Sequence, residues 1–246
     1  MKLLSQVANT NFNASFLKLS AIPLFAAISS SQVFAEVLDV KITNLTQGMY
    51  FTPLLLSAHP DTADLFSLGD SASVEVQAMA EGGDISGLLG IADSVGAVSE
   101  ENPAGGLLAP GTSTMVTNMA TGANDRLSIV SMILPTNDGF VGLDSWKIPE
   151  VAGTYTLYLN AYDAGTEAND EIVNGGGALG VAGIPVNPGA NGGTNASGVT
   201  STESNQMIHI HRGNIGDTDL TGGISDVDSR IHRWLNPVAK VMVTVK

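Results

Sequence analysis

No cysteine occurs in the 246 residues. Disulfide staples are therefore excluded, and with them thiolate nucleophiles and cysteine-held metals; a cysteine lipid anchor is excluded too. Basic residues are scarce, ten Lys and Arg against 24 Asp and Glu. That balance excludes nucleic acid and anionic lipid as direct partners, because a phosphate surface demands a basic face. It favours cations, basic partners or plain solubility in salt. Aromatic residues make up 5% of the chain, too few for the sugar platforms of a typical glycosidase cleft. Past the first 35 residues no apolar run is long enough to cross a bilayer.

The first 35 residues have the layout of a secretory leader. Lys2 and Lys18 flank a polar stretch, LSAIPLFAAISS (19–30) is apolar but short, and Val33-Phe34-Ala35 offers a cleavage site after Ala35. The exported remainder, 36–246, is long enough to bury a core in one large β domain, secreted or periplasmic, with no membrane insertion. VLDVKITN opens it with strand-type alternation. LFSLGDSASVEVQAMAEGGD (65–84) has helical spacing, with Asp70 or Ser71 as cap and Gly82-Gly83 as stop, and a weaker second helix is expected within 84–111. From Gly111 onward, TSTMVTNM, RLSIVSMIL, YTLYLNAYD, MIHIHRG and PVAKVMVTV are short, β-branched or alternating, and bounded by turn residues. The Gly- and Asn-rich segment 174–198 interrupts them and is expected as a flexible surface loop. The expected fold is all-β, an antiparallel sandwich of about eight strands with one or two short helices.

Two acidic loops are the candidates for chemistry. ILPTNDGFVGLDSW (133–146) places Asp138 after a strand that ends at Leu134, and NAYDAGTEANDE (160–171) places Asp163 at a strand end with Glu167, Asp170 and Glu171 behind it. If the two strands are neighbours running in the same sense, the loops meet at one rim. Asp138, Asp163 and Glu167, with backbone carbonyls, would then suit calcium, which takes hard oxygen ligands. Asn137, Asp144, Asn169 and Glu171 are near enough in sequence to assist. The spacing is not that of an EF-hand. A solvated acidic turn explains the same residues, and so does a carboxylate pair that hydrolyses glycosides. His209 and His211, two apart in MIHIHRG, are half of a possible zinc or copper site that His59 or His232 would complete. The bland alternative puts both histidines on an open strand face, with Ile208 and Ile210 in the core. No Gly-x-Ser-x-Gly elbow is present.

Several motifs occur together in a fixed order: FTP (51–53), AH (58–59), LFSLGDSASVEVQAMAEGG (65–83), RLSIVSMILPTNDGFVGLDS (126–145), YDAGTE (162–167) and PVAKVMVTV (237–245). In these the chain resembles the spondin domain, the N-terminal-type module of the matrix proteins F-spondin and mindin, which also occurs as a stand-alone secreted protein in bacteria. The resemblance runs from about Val40 to Val245. It implies a β-sandwich similar in design to calcium-dependent lipid-binding domains, calcium as the cofactor, and ligands at Asp138 and Asp163. It implies Glu167 as well, where the family more often has Asp. It also implies a non-catalytic adhesion or ligand-binding role toward a protein or glycan. The animal domains carry cysteines that are absent here, segment 174–198 is longer, and the His209/His211 pair has no counterpart, so the animal integrin partners do not transfer.

Overall fold

Strands with a period-two alternation of apolar and polar side chains leave one face to bury, and here they bury it against one another. The computed structural model describes residues 35–190, 192–200 and 203–246; the expected leader lies outside the described residues, apart from Ala35. The elements in chain order are β1 (Val37–Asn44), β2 (Tyr50–Phe51), β3 (Leu55–His59), α1 (Val74–Gly82), α2 (Ser86–Ser94), β4 (Val98–Glu101), β5 (Ser113–Ala120), β6 (Arg126–Leu134), β7 (Gly139–Lys147), β8 (Gly153–Asp163), β9 (His209–Ile210) and β10 (Ala239–Val245). The strand order is β4-β3-β6-β7-β8-β10-β1-β5, with β2 added to β6 and β9 to β8, and every pair of strands is antiparallel. The all-β sandwich is thus present, nearly closed like a barrel, with ten strands where about eight were expected.

β10 shows how the pattern works. Ala239, Val241, Val243 and Val245 are buried, while Lys240, Met242 and Thr244 between them stay partly open. The first set packs against Leu38, Val40 and Ile42 of β1 in the main core. β6 is buried along almost its whole length because it serves two cores. Leu127, Ile129 and Ile133 face the main core, and Val130 faces a second one under the helices. There Leu55, Val76, Met79, Leu88, Phe66 and Phe140 meet, with Phe66 and Phe140 edge to face at 5.1 Å between ring centres. Gly142 makes the ring packing possible, since a β-carbon there would lie 2.6 Å from Phe66 Cζ.

The helix in 65–84 is present but shorter. Its cap is Ser73, whose Oγ accepts from Val76 N at 3.2 Å, not Asp70 or Ser71. Gly83 ends it with φ +74°, the left-handed conformation that favours glycine. β7 is the element that local pattern conceals: Gly139, Gly142 and Asp144 make it look like loop, yet it pairs with β6 on one side and β8 on the other. Phe140→Ala should lower stability by about 3–5 kcal/mol through the cavity it leaves, and Ser73→Ala by about 1 kcal/mol. Urea unfolding midpoints check both, and a Phe140→Ala loss no larger than that of Ser73→Ala would contradict the second core.

Candidate metal centre and the loops around it

β7 brings the two acidic loops together. Asp138 immediately precedes it, and its first residue, Gly139, pairs with Asp163 at the end of β8. β6 and β8 do run in the same sense, but they are not neighbours, because β7 lies between them. Both carboxylates are buried, Asp138 fully and Asp163 at 2% exposure. Asp138 Oδ2 accepts three hydrogen bonds, from Thr166 N at 2.8 Å, Thr166 Oγ1 at 3.2 Å and Glu167 N at 3.1 Å. Its Oδ1 is buried and has no partner. Asp163 Oδ1 accepts from Gly165 N at 2.8 Å and Oδ2 from Asn169 Nδ2 at 2.7 Å, which leaves each oxygen a further lone pair.

A bare carboxylate oxygen in the interior is costly unless something positive or protonated meets it. Burial, followed by the Asp163 charge, pushes the Asp138 carboxyl up to about 7. Glu167 is on the other loop, after β8, and its backbone N is one of the donors to Asp138. Its Oε2 accepts from Gly183 N at 2.9 Å and Asn137 Nδ2 at 3.4 Å, while Oε1 is buried without a partner. Burial pushes this carboxyl up to about 7 as well. Oxygen-rich, anionic and incompletely bonded, this corner has the chemistry of a hard-cation site. Among the described residues no three His, Cys, Asp or Glu side chains converge into a metal-binding group by themselves. An ion here would therefore draw on backbone carbonyls, amide oxygens or water besides Asp138 and Asp163.

The other candidates lie in different surroundings. Asp144 is exposed on β7; partial desolvation by its neighbours raises its pKa, the Ser145 side chain opposes this, and the charges of Asp64 and His59 act on it in opposite directions. Glu171 is buried with φ +59°. Its oxygens accept from Ile215 N at 2.5 Å, Gly216 N at 2.8 Å and Ser225 Oγ at 2.6 Å, so it anchors the 213–228 loop. The histidines do not share an open face. His211 is 3% exposed and packs 5.0 Å from the Trp234 ring, while Ile210 is the residue left open. His211 Nδ1 accepts from Gly213 N at 2.9 Å, so its proton sits on Nε2, which is buried and without a partner. That nitrogen has no lone pair for a metal while the ring is neutral, and burial holds the ring neutral with its pKa lowered to about 4. His209 has the opposite tautomer: Nδ1 donates to Met207 O at 2.8 Å, and this same nitrogen is 3.9 Å from Asp163 Oδ1.

Sequence reasoning missed the partners that arrive from afar. Gly183 and Gly180, inside the glycine-rich segment, donate to Glu167 and to buried Glu81 of α1, the latter at 2.7 Å. Glu203 accepts from Asn169 Nδ2 at 2.7 Å and pairs with Arg212. The segment is thus tied down at several points, with Ile184 fully buried.

The family model described as Spondin_N matches residues 43–171, just over half of the chain and the whole of both acidic loops. No curated protein matches.

The raised carboxyl pKa values carry a sign that can be tested. Asp138 and Glu167 titrate near 7 when folded, against 3.8 and 4.5 as the ordinary values. Between those limits the folded state holds more protons, so their contribution to stability is present at acidic pH and lost as pH rises through about 7. His211, whose pKa is lowered, titrates in the opposite direction below its ordinary 6.5, and comparison with a variant cancels it. In excess chelator, the stability of Asp138→Asn relative to the parent protein should therefore rise from pH 5 to pH 8. Urea midpoints at the two pH values measure this, and a constant difference would show that Asp138 titrates as an ordinary acid.

Proposed function

Since the chain belongs to the Spondin_N family, we propose that it is an exported, non-catalytic module of the adhesion or ligand-binding type whose rim holds a calcium ion between Asp138 and Asp163. The family supports the coarser part, an extracellular ligand-binding module, and no helix among the described residues is long and apolar enough to cross a membrane. The observation that carries the calcium reading is the buried, unpartnered Oδ1 of Asp138, in a carboxylate on which the charge of a second buried carboxylate, Asp163, acts. A divalent cation resolves both costs at once: it occupies the bare oxygen and offsets the burial and the Asp163 repulsion that raise the Asp138 pKa. Glu167, whose Oε1 is also buried without a partner, lies on the loop after β8 but does not converge with the two aspartates into a three-carboxylate group. The remaining ligands would be backbone carbonyls, amide oxygens or water. The ion would supply fixed positive charge that joins the loop before β7 to the loop after β8. An open coordination position on it would accept an acidic group of a protein or glycan partner.

Calcium is favoured over zinc or copper by the donor set. The available groups are carboxylate oxygens, and the buried His211 Nε2 carries a proton. Thermal melts test the reading. Calcium at a hundredfold excess over its Kd should raise the midpoint by about 5–10 °C, and Asp163→Ala or Asp138→Asn should abolish the rise. Metal analysis of the purified protein separates the two chemistries: zinc or copper retained by the parent and lost in His209→Ala would overturn calcium.

A further inference from the structure

A second site lies away from the rim, where the C-terminal loops close over the β1–β2 turn. A cavity of about 440 Å³ opens there, within the range of roughly 300–1,000 Å³ in which ligand pockets fall. Its lining comes chiefly from residues 187–232, beyond the stretch the family model matches. Its floor is set by close packing: a β-carbon on Gly48 would lie 2.4 Å from Ile231 Cγ2. A more open depression of about 410 Å³ shares Ala190, Gly192, Thr194 and Leu220 with it, so the two lie side by side.

The polar groups of the wall divide into spent and unspent. Asp226 is spent: its carboxylate accepts from Val173 N, Thr194 N, Thr194 Oγ1 and Ala196 N at 2.7–3.1 Å. Asp228 is spent on Arg230. Asn187 is unspent. It is 3% exposed, yet its side-chain amide makes no hydrogen bond among the described residues, and Oδ1 is buried and bare. Oδ1 is closed off from the cavity, so the group a ligand can reach is the Nδ2 donor, which is unbonded and is not among the closed-off atoms. His232 Nδ1 accepts from Asp228 N at 3.0 Å, which puts the proton on Nε2 and makes that nitrogen a free donor. Asp219 uses Oδ1 on Thr221 and keeps Oδ2 free. Tyr50 adds a phenol that is both donor and acceptor.

From this set we infer that the cavity binds a neutral polyhydroxylated ligand, a saccharide unit, against Asn187, His232, Asp219 and Tyr50. Each hydroxyl both donates and accepts, which is what a mixture of amide, imidazole N–H, phenol and carboxylate complements. Pro188, Leu220 and Ile231 offer apolar contact for the C–H face of a sugar ring. An anion is rejected by the surrounding carboxylates. An organic cation would find one uncommitted carboxylate, on Asp219, because those of Asp226 and Asp228 are occupied. The adjoining depression gives room for a second unit.

Saturation-transfer NMR on the full-length protein tests this, with glucose, galactose, N-acetylglucosamine and cellobiose as probes and putrescine as the cationic control. At least one saccharide should show saturable binding. Ala190→Trp, which fills the mouth from an exposed position, should weaken it at least tenfold. Asn187→Ala should weaken it about fivefold, the worth of roughly one hydrogen bond. Glu150→Ala, an exposed position before β8 that does not line the cavity, should leave it unchanged. Melting curves establish that each variant is folded. Absence of binding by all four saccharides, binding that survives Ala190→Trp, or binding of putrescine alone would overturn the inference.

Discussion

The structure is organised around a buried carboxylate that the protein satisfies on one side only. Asp138 sits where β7 begins, between the strands that carry both acidic loops, and its Oδ2 gathers the backbone of Thr166 and Glu167. Its main-chain oxygen accepts from Ala164 N, so the turn after β8 is folded around this one residue. The other oxygen is buried and bare, and the charge of Asp163 acts on the same carboxyl. Two buried like charges strain a fold unless a proton or a cation separates them. The loop geometry, the raised proton affinity and the proposed calcium ion all follow from that arrangement.

Elsewhere the same chemistry is used to completion, and this gives the acidic composition a purpose. With no cysteine, the long connection from β8 to β10 has no covalent tie. Carboxylates take that role by accepting backbone N–H groups across it. Glu171 holds Ile215 and Gly216, Asp226 holds Val173, Thr194 and Ala196, and Asp217 holds Ile224 and Ser225. Charge-assisted bonds of this kind are about twice as strong as neutral ones. Acids that are fully bonded in this way are structural, and those with a buried, bare oxygen among the described residues, Asp138 and Glu167, stand out against them.

Much of this was legible beforehand, for identifiable reasons. RLSIVSMIL and PVAKVMVTV are strands because β-branched and apolar residues recur at the right period, and the structure keeps those positions buried. The helix stop at Gly82-Gly83 was readable because a left-handed end needs glycine. β7 was not readable, because its pairing with two neighbours overrides weak local propensity. The burial of His211 in place of Ile210 was hidden too. The choice of face depends on Trp234, which stacks on the imidazole from far along the chain.

By itself the sequence determined the acid-rich, cysteine-free composition, the β periodicity, the family, and the pairing of Asp138 with Asp163 as the residues to examine first. Only the tertiary structure decided which acids remain open. Glu167 and Glu171 stand four positions apart and look alike in NAYDAGTEANDE. One keeps a buried, bare oxygen, while the other is saturated by N–H groups more than forty residues away. No local pattern encodes that difference, because hydrogen-bond donors delivered by distant loops determine whether a carboxylate is a ligand or a clasp.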